Sequence, residues 1–319
     1  MFVAVGLSSI IEDPIAVPYV DIPNFPHSTV QGHGTELVFG KLGGKQVVAQ
    51  RGRFHYYEGY NMHQVTIAVR VFAALGAKIM IATNAAGGVN PLFNVGDVMI
   101  IKDHISLPCL AGNHPLIGPN DNRFGPRFPA VNNAYNVSLR DVVIKASTAL
   151  NLSQYIREGT YFHDSGPSYE SPMEIHAMRV LGGDAVGMST VPEVIVAVHS
   201  GMTVLGLSLI TNKCVAPGDK TIPPSHEEVL AATDQRAKDM QALVAKCVEL
   251  IPITDFATPA VSKVFDGSSP VTADKHSTSS SSSAHHQDSN VAFHMGIIGG
   301  IIGGITGAVA ATILLRKHA

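Results

Sequence analysis

Residues 79–88 read IMIATNAAGG: a short apolar run that breaks abruptly into small residues and glycines. That is the pattern of a buried strand ending in a loop whose backbone must come close to something. Three later stretches have the same shape, VGMS (186–189), VLGLSLITN (204–212) and YFHDSGPSYE (161–170). In an open, mostly parallel α/β sheet, ligands sit in the crevice outside the carboxyl ends of the strands. These four loops are therefore expected to converge on one site.

Working outward, the chain predicts an α/β fold over residues 1–257, a single domain with a central mixed, mostly parallel sheet flanked by helices. Its 319 residues, 45% of them hydrophobic, suffice for one large core. A strand is expected within residues 1–9 (MFVAVGLSS). A hairpin is expected from 35–39 (TELVF) and 45–50 (KQVVAQ) around Gly43-Gly44. Apolar residues at 65, 68, 69, 72 and 75 keep helical spacing and Gly76 ends that helix. Further strands are expected at 97–105 and 157–163 and further helices at 137–150 and 227–250, with a long Pro/Gly/Asn-rich loop at 107–130. Ser171 with Glu174, Thr190 with Glu193 and Ser225 with Glu228 have capping-box spacing. Helix N-termini so marked, close after converging strands, suit an anionic ligand.

Bulk charge removes some classes of function. A net charge of -3, with no Lys/Arg run before the last residues, argues against nucleic acid as a partner. Cys109, Cys214 and Cys247 are widely spaced and free of CxxC or Cys/His pairing, so neither a disulfide framework nor a metal site is indicated. No P-loop, dinucleotide fingerprint, Gly-x-Ser-x-Gly elbow or HExxH occurs, which removes support for nucleotide hydrolysis, hydride transfer, acyl transfer and zinc hydrolysis.

After residue 257 the composition changes. Residues 258–290, with five consecutive serines at 279–283, read as a disordered linker. Residues 291–315 read as a transmembrane helix, since 296–315 (GIIGGIIGGITGAVAATILL) hold no charge and Arg316-Lys317 follow in a short basic tail, 316–319. Glycines recurring every fourth residue give this span a small-residue face. The expectation is a single-pass C-terminal membrane anchor. Arg316-Lys317 favours an external enzyme, and a start without a signal peptide favours a cytoplasmic one.

The chemistry-bearing residues are a cationic cluster (Arg53, His55), the small-residue loop 84–88, an acid beside a Gly-Pro turn (Glu170), Met188-Ser189 at a strand end, and the amide of Asn212. They suit an anion and a polar heterocycle. Taken singly, His55 and His226 read as ordinary part-buried histidines, Met188 as core, Tyr57 and Tyr169 as packing residues, and Ser189 as a cap.

Together, GRFHYYEGY (52–60), TNAAGG (83–88), GPNDNRFGPRFPA (118–130), SGPSYE (165–170), VGMSTVPEV (186–194) and LITNK (209–213) make the chain resemble the trimeric class of purine nucleoside phosphorylases over residues 10–250. The resemblance implies phosphorolysis of inosine, guanosine and their deoxy forms to free base and (deoxy)ribose 1-phosphate. Inorganic phosphate is the co-substrate, no metal or organic cofactor is implied, and the assembly is a homotrimer. It further implies that Arg53, His55, Ser189 and the Ala85 amide hold phosphate. Tyr57, Met188 and His226 would contact ribose, and Tyr169, Glu170 and Asn212 the base. Asn212, Glu170 and His55 take the catalytic roles. Phe128 would reach the neighbouring subunit's site.

One departure concerns the phosphate end. The family's first strand ends in a Gly-Ser-Gly loop with a phosphate-binding serine, whereas this chain has VAVGLSS (3–9), where Ser8 or Ser9 would have to substitute. The alternatives are a methylthioadenosine phosphorylase, against which Glu170 and Asn212 argue, and a catalytically weak membrane nucleoside-binding protein.

Overall fold

Strands that are apolar on both faces need cover on both sides, and that requirement organises the molecule. The computed structural model describes residues 7–27, 35–219 and 226–265. Within them, β1 (Glu12–Pro18), β2 (Glu36–Leu42) and β3 (Lys45–Arg51) form an antiparallel sheet in that order. The hairpin β2–β3 turns at Gly43-Gly44, both at positive φ, as expected from the sequence.

Helices α1 (Met62–Val65) and α2 (Ile67–Ala74) follow where one helix is expected. Thr66 separates them. Its hydroxyl donates to the Met62 carbonyl at 2.8 Å, a local bond that competes with regular helix geometry. Then come β4 (Ile79–Gly88), β5 (Val98–Ser106), α3 (Leu107–Leu110), α4 (Val137–Ala149), β6 (Ile156–His163), α5 (Pro172–Val180), β7 (Ala185–Gly187), α6 (Val191–His199), β8 (Thr203–Lys213), α7 (His226–Leu250) and α8 (Ser262–Phe265).

The five strands β4-β7-β6-β5-β8 close into a barrel. The pairs β4·β8, β5·β6 and β6·β7 are parallel, and β4·β7 and β5·β8 antiparallel. The mixed, mostly parallel character is as expected, and the open sheet is corrected to a closed one. Two apolar clusters flank the barrel. One joins it to α2 and α6 through Phe72, Val191, Val194 and Ile195. The other joins it to α4 and α7 through Leu139, Val143, Leu243 and Val244.

Three further corrections follow. Strand β4 does not stop at the small residues but runs through TNAAGG to Gly88, its glycines pairing with β7 and β8. Leu7–Ile10 is a 3-10 turn beside β3 rather than part of a strand, and residues 1–6 lie outside the described residues. Packing also continues past residue 257, since Val261 is fully buried against the first cluster and α8 lies on α2.

The expected membrane-attached architecture is corrected as well. No helix among the described residues is long and apolar enough to cross a membrane. The stretch 296–315 that carried the expectation lies outside them, with most of the expected linker. A span requires a continuous helix long and apolar enough to cross the hydrocarbon layer, and the described residues contain none. The anchor, the membrane partner and the membrane location are therefore withdrawn.

Burial of Val261 gives a direct test of the extended domain end. Val261→Ala is expected to lower unfolding stability by about 1–3 kcal/mol, read from urea denaturation, as for a buried core side chain.

Candidate active site

The ends of β4, β6, β7 and β8 meet because their registers bring Ala85, Gly187 and Leu209 to neighbouring positions. Ala85 is the one exposed residue of β4, and the backbone carbonyl of Ala85 lies against Gly187. The expected convergence of loops is therefore present, and the crevice lies where β6 and β7, which run antiparallel to β4 and β8, end beside Ala85.

At one end of the crevice stands Arg53. Its Nε lies 3.0 Å from Glu193 Oε2 and 3.1 Å from Oε1. Nη2 donates to the Thr83 carbonyl at 3.1 Å and Nη1 to Ser189 Oγ at 3.4 Å. Glu193 is 5% exposed and also accepts the Thr190 backbone N–H at 3.1 Å. Thr190 takes φ +76°, unusual for a β-branched residue. Its hydroxyl compensates by accepting a 2.9 Å bond from Asn84 Nδ2 and lies 3.2 Å from Ser189 Oγ. The result is a fixed cation beside a hydroxyl at the start of α6, an arrangement that suits an oxyanion.

Beside this cation, His55 is held by Glu58, whose Oε1 accepts the His55 backbone N–H at 2.8 Å and lies 3.1 Å from Nδ1. The carboxylate thereby fixes Nδ1 as a donor. The Tyr57 ring stacks on His55 with centroids 4.7 Å apart. Burial, then the charge of Glu58, pushes the Tyr57 phenol up to about 12, so it stays neutral. Tyr57 also feels both Arg53 and Tyr169, which links the cationic end to the opposite one.

At that opposite end are Glu170, Tyr169 and Asn212. Asn212 follows Thr211 at the end of β8, and its Nδ2 lies so close to Gly87 that a side chain there would meet it at 3.2 Å and Cys214 Sγ at 2.6 Å. Thr211 Oγ1 donates to Asn212 Oδ1 at 3.2 Å. The Glu170 carboxyl is pushed up to about 7, first by burial and then by the charge of Asp164. Met188 packs against Gly166, which sits at φ +61° where a Cβ would collide with the methionine side chain.

A model of the phosphorylase superfamily matches residues 2–249. The chain is 50% identical to the purine nucleoside phosphorylase of Rattus norvegicus over 247 residues, covering 77% of this chain and 86% of that one. It is 51% identical to purine nucleoside phosphorylase 1 of Geobacillus stearothermophilus over 242 residues, 76% and 86% of the two chains. The crystal structure of Schistosoma mansoni purine nucleoside phosphorylase in complex with inosine superposes with a TM-score of 0.76 at 43% identity, covering 79% of this chain and 89% of that one.

The chain belongs to the purine nucleoside phosphorylases of the phosphorylase superfamily.

It is an enzyme of purine nucleoside phosphorolysis. In this phosphorylase Arg53, Ser189, His55, Tyr57 and Ala85 gather at one end of the crevice, and Tyr169, Glu170 and Asn212 at the other. Ser8 and Ser9 lie in the 3-10 turn beside β3. His226 is the first residue of α7, and Glu227 beside it acts electrostatically on Tyr169, so this helix begins near the base end. Phe128 stands apart, 88% exposed, with the Arg127 guanidinium 5.5 Å over its ring. Among the described residues no group of His, Cys, Asp and Glu could hold a metal ion.

Sequence reasoning did not single out Glu193 or Asp164, and it named Asn84 only as the start of the loop 84–88. Glu193 carried a signal, its spacing from Thr190, but that spacing reads as a helix cap and does not disclose an ion pair with a residue 140 positions away. Asp97 is buried in an ion pair with Arg157 at 3.0 Å.

Removing Glu193 would leave the Arg53 charge and the Thr190 amide without their buried acceptor. Glu193→Ala is expected to cost about 3 kcal/mol, the lower end for a broken buried pair because Arg53 keeps Thr83 and Ser189, read from thermal or urea unfolding.

Proposed function

We propose that the two ends of the crevice divide the reaction between them: the Arg53 end binds phosphate and the Asn212 end accepts the leaving purine. The observation that carries this is the Arg53–Glu193–Ser189 arrangement beside the exposed Ala85. It presents a positioned cation, a hydroxyl and a backbone amide to an oxyanion. His55 completes the phosphate contacts, with Glu58 fixing its ring. Tyr57, Met188 and His226 bind the ribose between the ends, and Tyr169 stacks on the base.

Phosphorolysis then proceeds with phosphate oxygen attacking the anomeric carbon as the C1'–N9 bond breaks. The bonding electron pair passes into the purine, and one proton moves in net from phosphate to the base. Charge that develops on the purine is met by the Asn212 amide donating toward N7, a donor fixed before the reaction by Thr211. Glu170 accepts from N1–H of a 6-oxopurine, which supports inosine and guanosine as substrates. The proton inventory closes without a metal or organic cofactor.

Phe128 extends this reading to a homotrimer. An aromatic ring 88% exposed in one protomer contributes nothing to its own core, and it is suited to close the nucleoside site of a neighbouring subunit.

Two outcomes test these assignments. Asn212→Ala should lower kcat/KM for inosine by about 10²–10³, as loss of a transition-state donor does, while hypoxanthine release stays strictly dependent on added phosphate. Phe128→Ala should raise KM for inosine roughly tenfold, the loss of one aromatic contact, without lowering the unfolding midpoint. Sedimentation should give three protomers.

A further inference from the structure

We propose that His199, the last residue of α6, is a positioning residue for the nucleoside site of the neighbouring subunit: it fastens the loop 118–130 to α6 and so holds Phe128 in place. The inference rests on the reading of Phe128 as the aromatic that closes that site.

The fastening has a fixed direction. Asn120 Nδ2 donates to the Gly125 carbonyl at 2.9 Å and to Asn122 Oδ1 at 2.7 Å. A carbonyl only accepts, so the amide nitrogen must stand on that side. Asn120 Oδ1 therefore faces His199, whose Nε2 lies 3.1 Å away and is the donor. His199 is 2% exposed, which holds its ring in one orientation. The loop backbone rests on the same residue. A Cβ on Gly125 would lie 1.8 Å from the His199 carbonyl oxygen and 3.2 Å from Cδ2, so only glycine allows this approach. Two contacts from different parts of the loop thus converge on the end of α6.

The loop carries this hold to its tip. Phe124 is buried in the core, with the Arg70 guanidinium of α2 5.1 Å over its ring. Arg123 closes on Asp121, with Nε and Nη2 at 2.9 and 2.6 Å from the two carboxylate oxygens. Arg127 Nη1 donates to the Leu116 carbonyl at 2.9 Å, while the same guanidinium lies over the Phe128 ring. A ring that must meet a nucleoside held by another subunit binds best when it is placed beforehand, because ordering it on binding would cost affinity.

Helix α6 separates this role from the chemistry of its own subunit. The helix begins beside Ser189 and Thr190, at the phosphate end of the crevice, and His199 stands about 12 Å further along it. A change at His199 is therefore expected to act on the nucleoside and not on phosphate.

The test is steady-state kinetics of the full chain with His199→Leu, Phe128→Ala and both together, varying inosine and phosphate in turn. His199→Leu should raise KM for inosine about three- to tenfold, with the roughly tenfold of Phe128→Ala as its ceiling, while kcat and KM for phosphate stay within about twofold of wild type. In the Phe128→Ala background it should add nothing, since no ring is left to place. His199→Gln, whose amide donates in place of Nε2, should restore the wild-type KM. An effect of His199→Leu that is equal in both backgrounds overturns the proposal, because general loosening of the protomer would produce it. A matching loss in kcat or in phosphate KM does the same, as does a His199→Gln enzyme no better than His199→Leu. An inosine KM that Phe128→Ala raises and His199→Leu leaves unmoved overturns this inference alone. One that Phe128→Ala leaves unmoved overturns the reading beneath it. Where His199→Leu does not fold, Asn120→Ala cuts the same bond from the loop side and carries the same expectations.

Discussion

The ion pair between Arg53 and Glu193 is the constraint on which the phosphate end depends. A guanidinium aimed into a crevice has no value for binding an anion unless it is held still, and Arg53 is held by a buried carboxylate, a backbone carbonyl and a serine hydroxyl at once. Glu193 occupies the third position of α6 and also accepts the Thr190 amide. One carboxylate therefore starts a helix and orients the Arg53 guanidinium. The strained φ of Thr190 is tolerated because its amide and its hydroxyl both have partners within this network.

The opposite end works by another principle. In the proposed division phosphate carries its charge into the site and is met by a fixed cation, whereas the purine acquires charge only as the glycosidic bond breaks. An amide anchored by Thr211 and a carboxyl whose ionisation depends on its neighbours suit that changing demand. The closed barrel makes the division possible. Strands β4 and β8 run parallel over their whole length, so the exposed Ala85 and the Asn212 amide project from adjacent strand ends.

Much of the site was legible because its residues sit in local motifs. Arg53 and His55 follow a strand directly, Ser189 precedes a marked helix start, and Asn212 ends an apolar run. Each signal lies within about ten residues of chain. Partners such as Asp164 for Glu170 were not legible, since an acid six residues before another reads equally well as two solvated side chains. Only the fold half-buries both acids and brings the Asp164 charge to bear on Glu170. The anchor expected from residues 296–315 rested on composition alone, and no described helix is long and apolar enough to cross a membrane.

By itself, the sequence determined the alternation of strands and helices, the family, and the candidate side chains of the site, because periodicity, capping residues and short motifs act over one or two turns of chain. Only the tertiary structure decided that the sheet closes into a barrel, that β4 continues through its glycines, and that Glu193 pairs with Arg53. Those outcomes depend on contacts between residues distant in the chain, whose energies arise from burial and pairing that no local pattern contains.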